Sequence, residues 1–85
     1  MPSKEELIRR LCEKPMPVDF SVRELNTLMN KCGCSKYEGG RGSGVGYVHD
    51  KSKRAVQFDR PHPGNNLYRY QVKMVIEFLK SIGEI

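Results

Sequence analysis

Two neighbouring runs of alternating residues constrain the fold of this chain most strongly. In residues 45–50 the large apolar side chains Val45 and Tyr47 stand two positions apart. In residues 54–59, Val56 and Phe58 repeat this spacing. A two-residue period is typical of strands that bury one face. Because only Lys51-Ser52-Lys53 separates the runs, the sequence predicts an antiparallel β-hairpin.

A further strand is predicted before the hairpin. Residues Cys34 to Tyr37 form a short candidate strand, and the stretch 39–44 that follows it consists of four glycines together with Arg41 and Ser43. Glycine-rich segments are typical of turns. The three strands together predict one small antiparallel sheet.

Two capping boxes mark the starts of helices in the first third of the chain. Residues 3–6 and 21–24 each place a serine three positions before a glutamate, a spacing that satisfies free N–H groups at a helix start. The first helix is predicted to run toward Lys14 and to stop before Pro15, and the second to end near Gly33. The apolar stripe of the first helix is expected to pack on the same chain.

A third helix is predicted after Asn65 and Asn66, whose side chains can cap it. Its apolar face is formed by Val72, Val75, Ile76, Leu79 and Ile82. The predicted fold class is α+β, with a three-stranded antiparallel sheet, helices on one face and the order α-α-β-β-β-α. We assign residues 1–20 to an N-terminal helix with a proline-containing connection and residues 21–85 to the principal domain.

The charge of the chain favours an anionic partner. Fifteen Lys and Arg residues oppose ten Asp and Glu residues, for a net charge of +5. Residues 31–60 hold seven of those cations and only three acids, so that segment alone carries +4. Nucleic acid is the first candidate partner, although a charged run is also typical of a solvated surface. The predicted phosphate contacts are Arg41, Lys51, Lys53 and Arg54.

His49 and His62 are the candidate catalytic residues, because histidine titrates at about pH 6.5 and can move protons near neutrality. Either could instead be structural. Few acids lie in the second half of the chain, and the Cys32-Gly33-Cys34 spacing is unlike that of zinc sites. We therefore expect no metal and no cofactor. No signal peptide or membrane span is recognisable, which predicts a cytoplasmic protein.

The order of several short motifs resembles the HicA family of toxins from type II toxin–antitoxin systems. These motifs are Lys31-Cys32-Gly33 at a helix end, Gly42-Ser43 before a strand that ends at His49, Lys53-Arg54 before the next strand, and Pro61-His62-Pro63 before the final helix. The resemblance spans roughly residues 21 to 83. It implies a fold like the double-stranded RNA-binding domain, and it adds Ser43 to the predicted RNA-binding residues.

The resemblance also implies metal-independent cleavage of mRNA and neutralisation by a HicB-type antitoxin in the bacterial cytosol. The family's catalytic histidine usually follows the Gly-Ser pair, and here that position is Gly44. Two alternatives therefore stay open. The domain can bind RNA without cleaving it, or it can be a protein-interaction module whose contact surface contains Tyr37, Tyr47, Tyr68 and Tyr70.

Overall fold

A computed structural model describes residues 3–37, 44–61 and 64–85 of this chain. Its helices are α1 (Lys4–Leu11), α2 (Val22–Lys31) and α3 (Arg69–Ser81), and its strands are β1 (Cys34–Tyr37), β2 (Gly44–His49) and β3 (Ala55–Asp59). The predicted α+β class and the order α-α-β-β-β-α are confirmed. The strand and helix ends differ from the predictions by only a few residues.

The sheet has the strand order β1-β2-β3, and both pairs are antiparallel. β2 therefore lies in the centre, and each of its ends has a distinct set of neighbours. At one end Gly44 pairs with Asp59, and we call this the glycine end of the sheet. At the other end the residues from His49 to Arg54 form the turn between β2 and β3, and we call this the turn end.

One face of the sheet forms the core. Val45 and Tyr47 of β2 are almost completely buried, as are their partners Phe58 and Val56 on β3. Alternate residues of β3 on the other face, including Gln57, are exposed. The helical contribution to the same core comes from Leu25, Leu28, Met29, Val72, Val75 and Leu79. The alternation inferred from the sequence thus separates a helix-covered face from an open face.

Helix α1 packs on the same chain, as predicted. Leu7 and Leu11 have no exposed surface and belong to the same core cluster as the sheet residues. Arg10 forms an ion pair with Glu24 of α2, and its guanidinium lies 5.4 Å from the ring centre of Phe20. The helix ends at Leu11, three residues before the predicted end at Lys14.

The serine N-caps predicted for α1 and α2 are both present. The Ser3 hydroxyl accepts a hydrogen bond of 3.2 Å from the N–H of Glu6. At α2 the capping box is reciprocal, because the Ser21 hydroxyl accepts from the N–H of Glu24 at 3.1 Å while the Glu24 carboxylate accepts from the N–H of Ser21. Serine caps of this kind fix where each helix begins.

The predicted caps of α3 are wrong. The N-cap is Tyr68, whose N–H donates to the side-chain oxygen of Gln71 at 2.9 Å. Asn65 instead accepts a backbone hydrogen bond of 2.8 Å from Val22, and Asn66 forms an isolated β-bridge with Ser21. The two asparagines lie too far before the helix to cap it, and their backbone holds the start of α2.

None of the helices in the described residues is long and apolar enough to cross a membrane.

Candidate nucleic-acid interface

The centre of the open face is covered by one aromatic ring. Tyr37 lies at the end of β1, and its hydroxyl donates a hydrogen bond of 2.9 Å to the side-chain oxygen of Gln57 on β3. The ring thereby crosses over β2 at Gly46, where an added Cβ atom would be only 3.0 Å from Cζ of Tyr37. A glycine at this position lets the ring lie against the sheet.

Gly44, the position at which the resemblance described above implies a catalytic histidine, also belongs to the open face. It shares the parity of Gly46 along β2 and pairs with Asp59. The nearest heavy atom to an added Cβ would be the carbonyl oxygen of Phe58, at 4.0 Å. An added Cβ would therefore make only an ordinary contact with the described residues, but Gly44 itself supplies no group that can move a proton.

His49 is part of the turn between β2 and β3. Its Nδ1 lies 2.7 Å from the Ser52 hydroxyl and accepts a hydrogen bond of 3.3 Å from the Ser52 N–H. Because Nδ1 accepts from a backbone N–H, the neutral ring carries its proton on Nε2. The lone pair on Nδ1, with which His49 would accept a proton as a general base, is therefore already bonded to Ser52.

The turn end also holds three of the predicted RNA-binding cations. Lys51, Lys53 and Arg54 are all exposed. Lys53 has a φ of 64°, which makes it the non-glycine residue with left-handed backbone in the described part of the chain. Left-handed conformation is unfavourable for lysine and is usually taken by glycine. Because backbone strain is often retained at functional sites, Lys53 is a candidate functional residue.

The predicted site residues are separated along the sheet. Gly44 and His49 are five positions apart on β2, which corresponds to roughly 17 Å at the ordinary strand rise. The cations of the turn end consequently lie far from Gly44. Arg41, Ser43 and His62 fall outside the described residues; in sequence, Ser43 directly precedes Gly44, and His62 follows Asp59 by three positions.

A second cluster of cations, which the sequence analysis did not identify as a site, surrounds a cavity of about 530 Å³. Arg23 of α2, Lys36 of β1 and Arg60 after β3 line it together with Asn26. We call this the basic pocket. The charge excess of residues 31–60 included Lys36 and Arg60, but only the fold brings them beside Arg23.

Tyr47 lies close to the basic pocket. Its hydroxyl donates a hydrogen bond of 2.7 Å to the side-chain oxygen of Asn26. Burial raises the pKa of Tyr47 to about 12, and the positive charge of Arg60 opposes part of this rise. With only 1% of its surface exposed, Tyr47 cannot belong to the proposed tyrosine contact surface. Tyr68 and Tyr70 are exposed, with ring centres 6.1 Å apart.

The cysteines form no metal site in the part of the chain that the structure describes, where no three His, Cys, Asp or Glu side chains cluster. Cys32 and Cys34 are buried, and Cys12 is exposed. Burial is the main cause that raises the pKa of Cys32 to about 12 and that of Cys34 to about 11. Both buried thiols therefore stay protonated and unreactive at neutral pH.

Comparison with known proteins gives one match. A family model described as the HicA toxin of bacterial toxin–antitoxin matches residues 22–83. No curated protein and no solved structure matches the chain. The family match begins at the first residue of α2, ends just after α3 and includes the whole sheet. Because it spans well over half of the 85 residues, this chain belongs to the HicA family of toxins from bacterial toxin–antitoxin systems.

Proposed function

We propose that this HicA-family toxin binds and cleaves mRNA without a metal ion, and that a HicB-type antitoxin neutralises it. The observation that carries the proposal is the family match over residues 22–83, since toxins of such systems act with a paired antitoxin. We place the activity in the cytosol, where mRNA is available.

The charge and the exposed cations support a polyanionic substrate. The chain carries a net charge of +5, and Lys51, Lys53 and Arg54 project from one turn. Arg41 and Ser43 precede the first residue of β2 in sequence and complete the proposed RNA-binding set. Such contacts release counterions from the RNA, so affinity falls as salt concentration rises.

We assign the role of general base to His62 before His49. The Nδ1 atom of His49 is engaged by Ser52, and His49 lies at the turn end. His62 comes three positions after Asp59, the residue that pairs with Gly44 at the glycine end. In this mechanism His62 removes the proton of a ribose 2′-hydroxyl, and the oxygen attacks the adjacent phosphorus.

The bond between phosphorus and the 5′-oxygen then breaks, and the 5′-oxygen takes up the proton that His62 removed, which leaves a 2′,3′-cyclic phosphate and a 5′-hydroxyl end. Nearby cations stabilise the additional negative charge that develops on the phosphate. This chemistry needs proton transfer and charge stabilisation but no external reactant besides the RNA.

The alternative is a domain that binds RNA without cleaving it. A specific observation favours it, namely that Gly44 occupies the position of the family's histidine. The two functions differ in one measurable respect, because only the first shortens the RNA.

Induction of the chain in bacterial cells tests the proposal. We expect growth to stop and total mRNA to shorten, while simultaneous induction of a HicB-type antitoxin restores both. The His62→Ala variant, made at matched protein level, should leave growth unaffected. Unimpaired growth and intact mRNA with accumulated wild-type protein would count against a toxin that cleaves mRNA.

A further inference from the structure

We infer that the basic pocket formed by Arg23, Lys36, Arg60 and Asn26 binds a backbone phosphate of the RNA. This inference rests on the proposed function, because it names a second place on the protein where the same substrate is held. The pocket is separate from Lys51, Lys53 and Arg54 at the turn end and lies on the helix-covered side of β1.

The chemistry of the lining residues suits a phosphodiester. Two guanidinium groups and one ammonium group offer only hydrogen-bond donors, and arginine presents paired N–H groups that match two phosphate oxygens. Among the described residues, none of the three cations forms an ion pair with an acid. Their positive charge is therefore not neutralised by the described part of the chain.

The walls of the pocket are fixed by contacts that do not involve the cations. The hydroxyl of Tyr47 holds the side chain of Asn26 at 2.7 Å, which joins the central strand to α2. The N–H of Val22 donates to the carbonyl of Asn65 at 2.8 Å, so the segment before α3 holds the start of α2. A site whose supporting elements are already ordered loses less entropy when a ligand binds.

Two N–H groups at the start of α2 are already engaged within the chain. The N–H of Val22 is bonded to Asn65, and that of Glu24 is bonded to the Ser21 hydroxyl. We therefore attribute most of the affinity to the side chains of Arg23, Lys36 and Arg60, which substitution can test.

One cation of the pocket lies at the glycine end of the sheet. Arg60 directly follows Asp59, the partner of Gly44, whereas Lys36 pairs with Tyr47 nearer the middle of β2. A phosphate held in the pocket would lie on the helix-covered side, with Arg60 next in sequence to the strand pair that contains Gly44.

Fluorescence anisotropy tests the inference, with a labelled single-stranded RNA of mixed sequence whose 2′-O-methyl groups prevent the proposed cleavage. The test variant is the triple substitution Arg23→Ala, Lys36→Ala and Arg60→Ala. The matched control is Arg9→Ala, Lys31→Ala and Lys73→Ala, which removes the same charge from exposed helical positions outside the pocket. Circular dichroism melts confirm that both proteins are folded.

We expect the pocket variant to bind at least about tenfold more weakly than wild type, with a salt dependence whose logarithmic slope falls by about 2, as three lost contacts to a single strand require. The control should stay within about threefold of wild type, because distant exposed charges are largely screened at moderate salt. The single variants Lys36→Ala and Arg60→Ala should each show part of the loss.

Equal losses in the pocket and control variants would overturn the pocket and leave general electrostatic binding in its place. No binding of RNA by wild type would instead overturn the proposed function together with this inference. The two failures are thus distinguishable from one set of titrations.

Discussion

The ring of Tyr37 lies directly over Gly46, and its hydroxyl reaches across the central strand to Gln57. The contact joins all three strands on the open face of the sheet. It also explains why a glycine occupies the middle of β2, where glycine ordinarily weakens a strand.

We predict that Gly46→Ala destabilises the protein by about 1–3 kcal/mol, because the new methyl group would overlap the Tyr37 ring and its backbone oxygen. Urea denaturation measures the change. Gly64→Ala is the control, since no atom lies within 4 Å of a Cβ added there. Unchanged stability of Gly46→Ala would mean that the ring does not press on the strand.

Gly44→His should increase RNA cleavage, because it places an imidazole on the open face at the position where the resemblance to HicA toxins implies a catalytic histidine. The Cβ of the new side chain would be 4.0 Å from its nearest described neighbour, which is an ordinary contact distance. A positioned general base contributes about 10²-fold or more to such reactions. The rate of fragment formation is the measurement, and Gly44→Gln, which cannot accept the proton, is the control. A folded Gly44→His protein no faster than wild type would argue against catalysis on this face.

Lys53→Gly should stabilise the protein by about 0.5–1 kcal/mol while it weakens RNA binding. Lysine is strained at a φ of 64°, whereas glycine adopts this conformation freely. Lys51→Gly removes the same charge without relieving strain, so its stability should not rise. Thermal melts and RNA titrations of both variants separate the backbone effect from the charge effect. Loss of stability in Lys53→Gly would contradict the interpretation.

Stability should decrease in alkaline solution because of the buried thiols. Burial raises the pKa of Cys32 from 9.0 to about 12 and that of Cys34 from 9.0 to about 11. The unfolded chain then loses these protons first, so the stabilisation is complete below about pH 9 and declines toward pH 11–12. Each thiol contributes a slope of up to about 1.4 kcal/mol per pH unit.

Urea midpoints between pH 8 and pH 11 measure this decline. Cys34→Ala should make it shallower, whereas Cys12→Ser, at an exposed position, should leave it unchanged. An identical decline in Cys34→Ala would show that the buried thiol does not contribute to it.

Local sequence signals predicted most of the fold. Strand alternation and the serine caps of α1 and α2 depend on neighbouring residues, so the sequence contains what is needed to recognise them. The start of α3 was mispredicted because Asn65 and Asn66 make their backbone contacts with the distant residues Val22 and Ser21.

The candidate site was less predictable for the same physical reason. Arg23, Lys36 and Arg60 belong to three separate segments, and only the pairing of β1, β2 and β3 beside α2 brings them around one cavity. The hydrogen bonds between His49 and Ser52 likewise depend on the geometry of the turn, which alternation alone does not reveal.

The most direct test of metal-independent mRNA cleavage is incubation of the purified protein with an mRNA in EDTA, beside the same strand carrying 2′-O-methyl groups. We expect unmodified RNA to give fragments that end in 2′,3′-cyclic phosphate, and the modified strand to stay intact. His62→Ala should abolish cleavage, and His49→Ala should retain most of it. An intact unmodified RNA after incubation with folded wild-type protein would contradict the proposed activity and favour a domain that binds without cleaving.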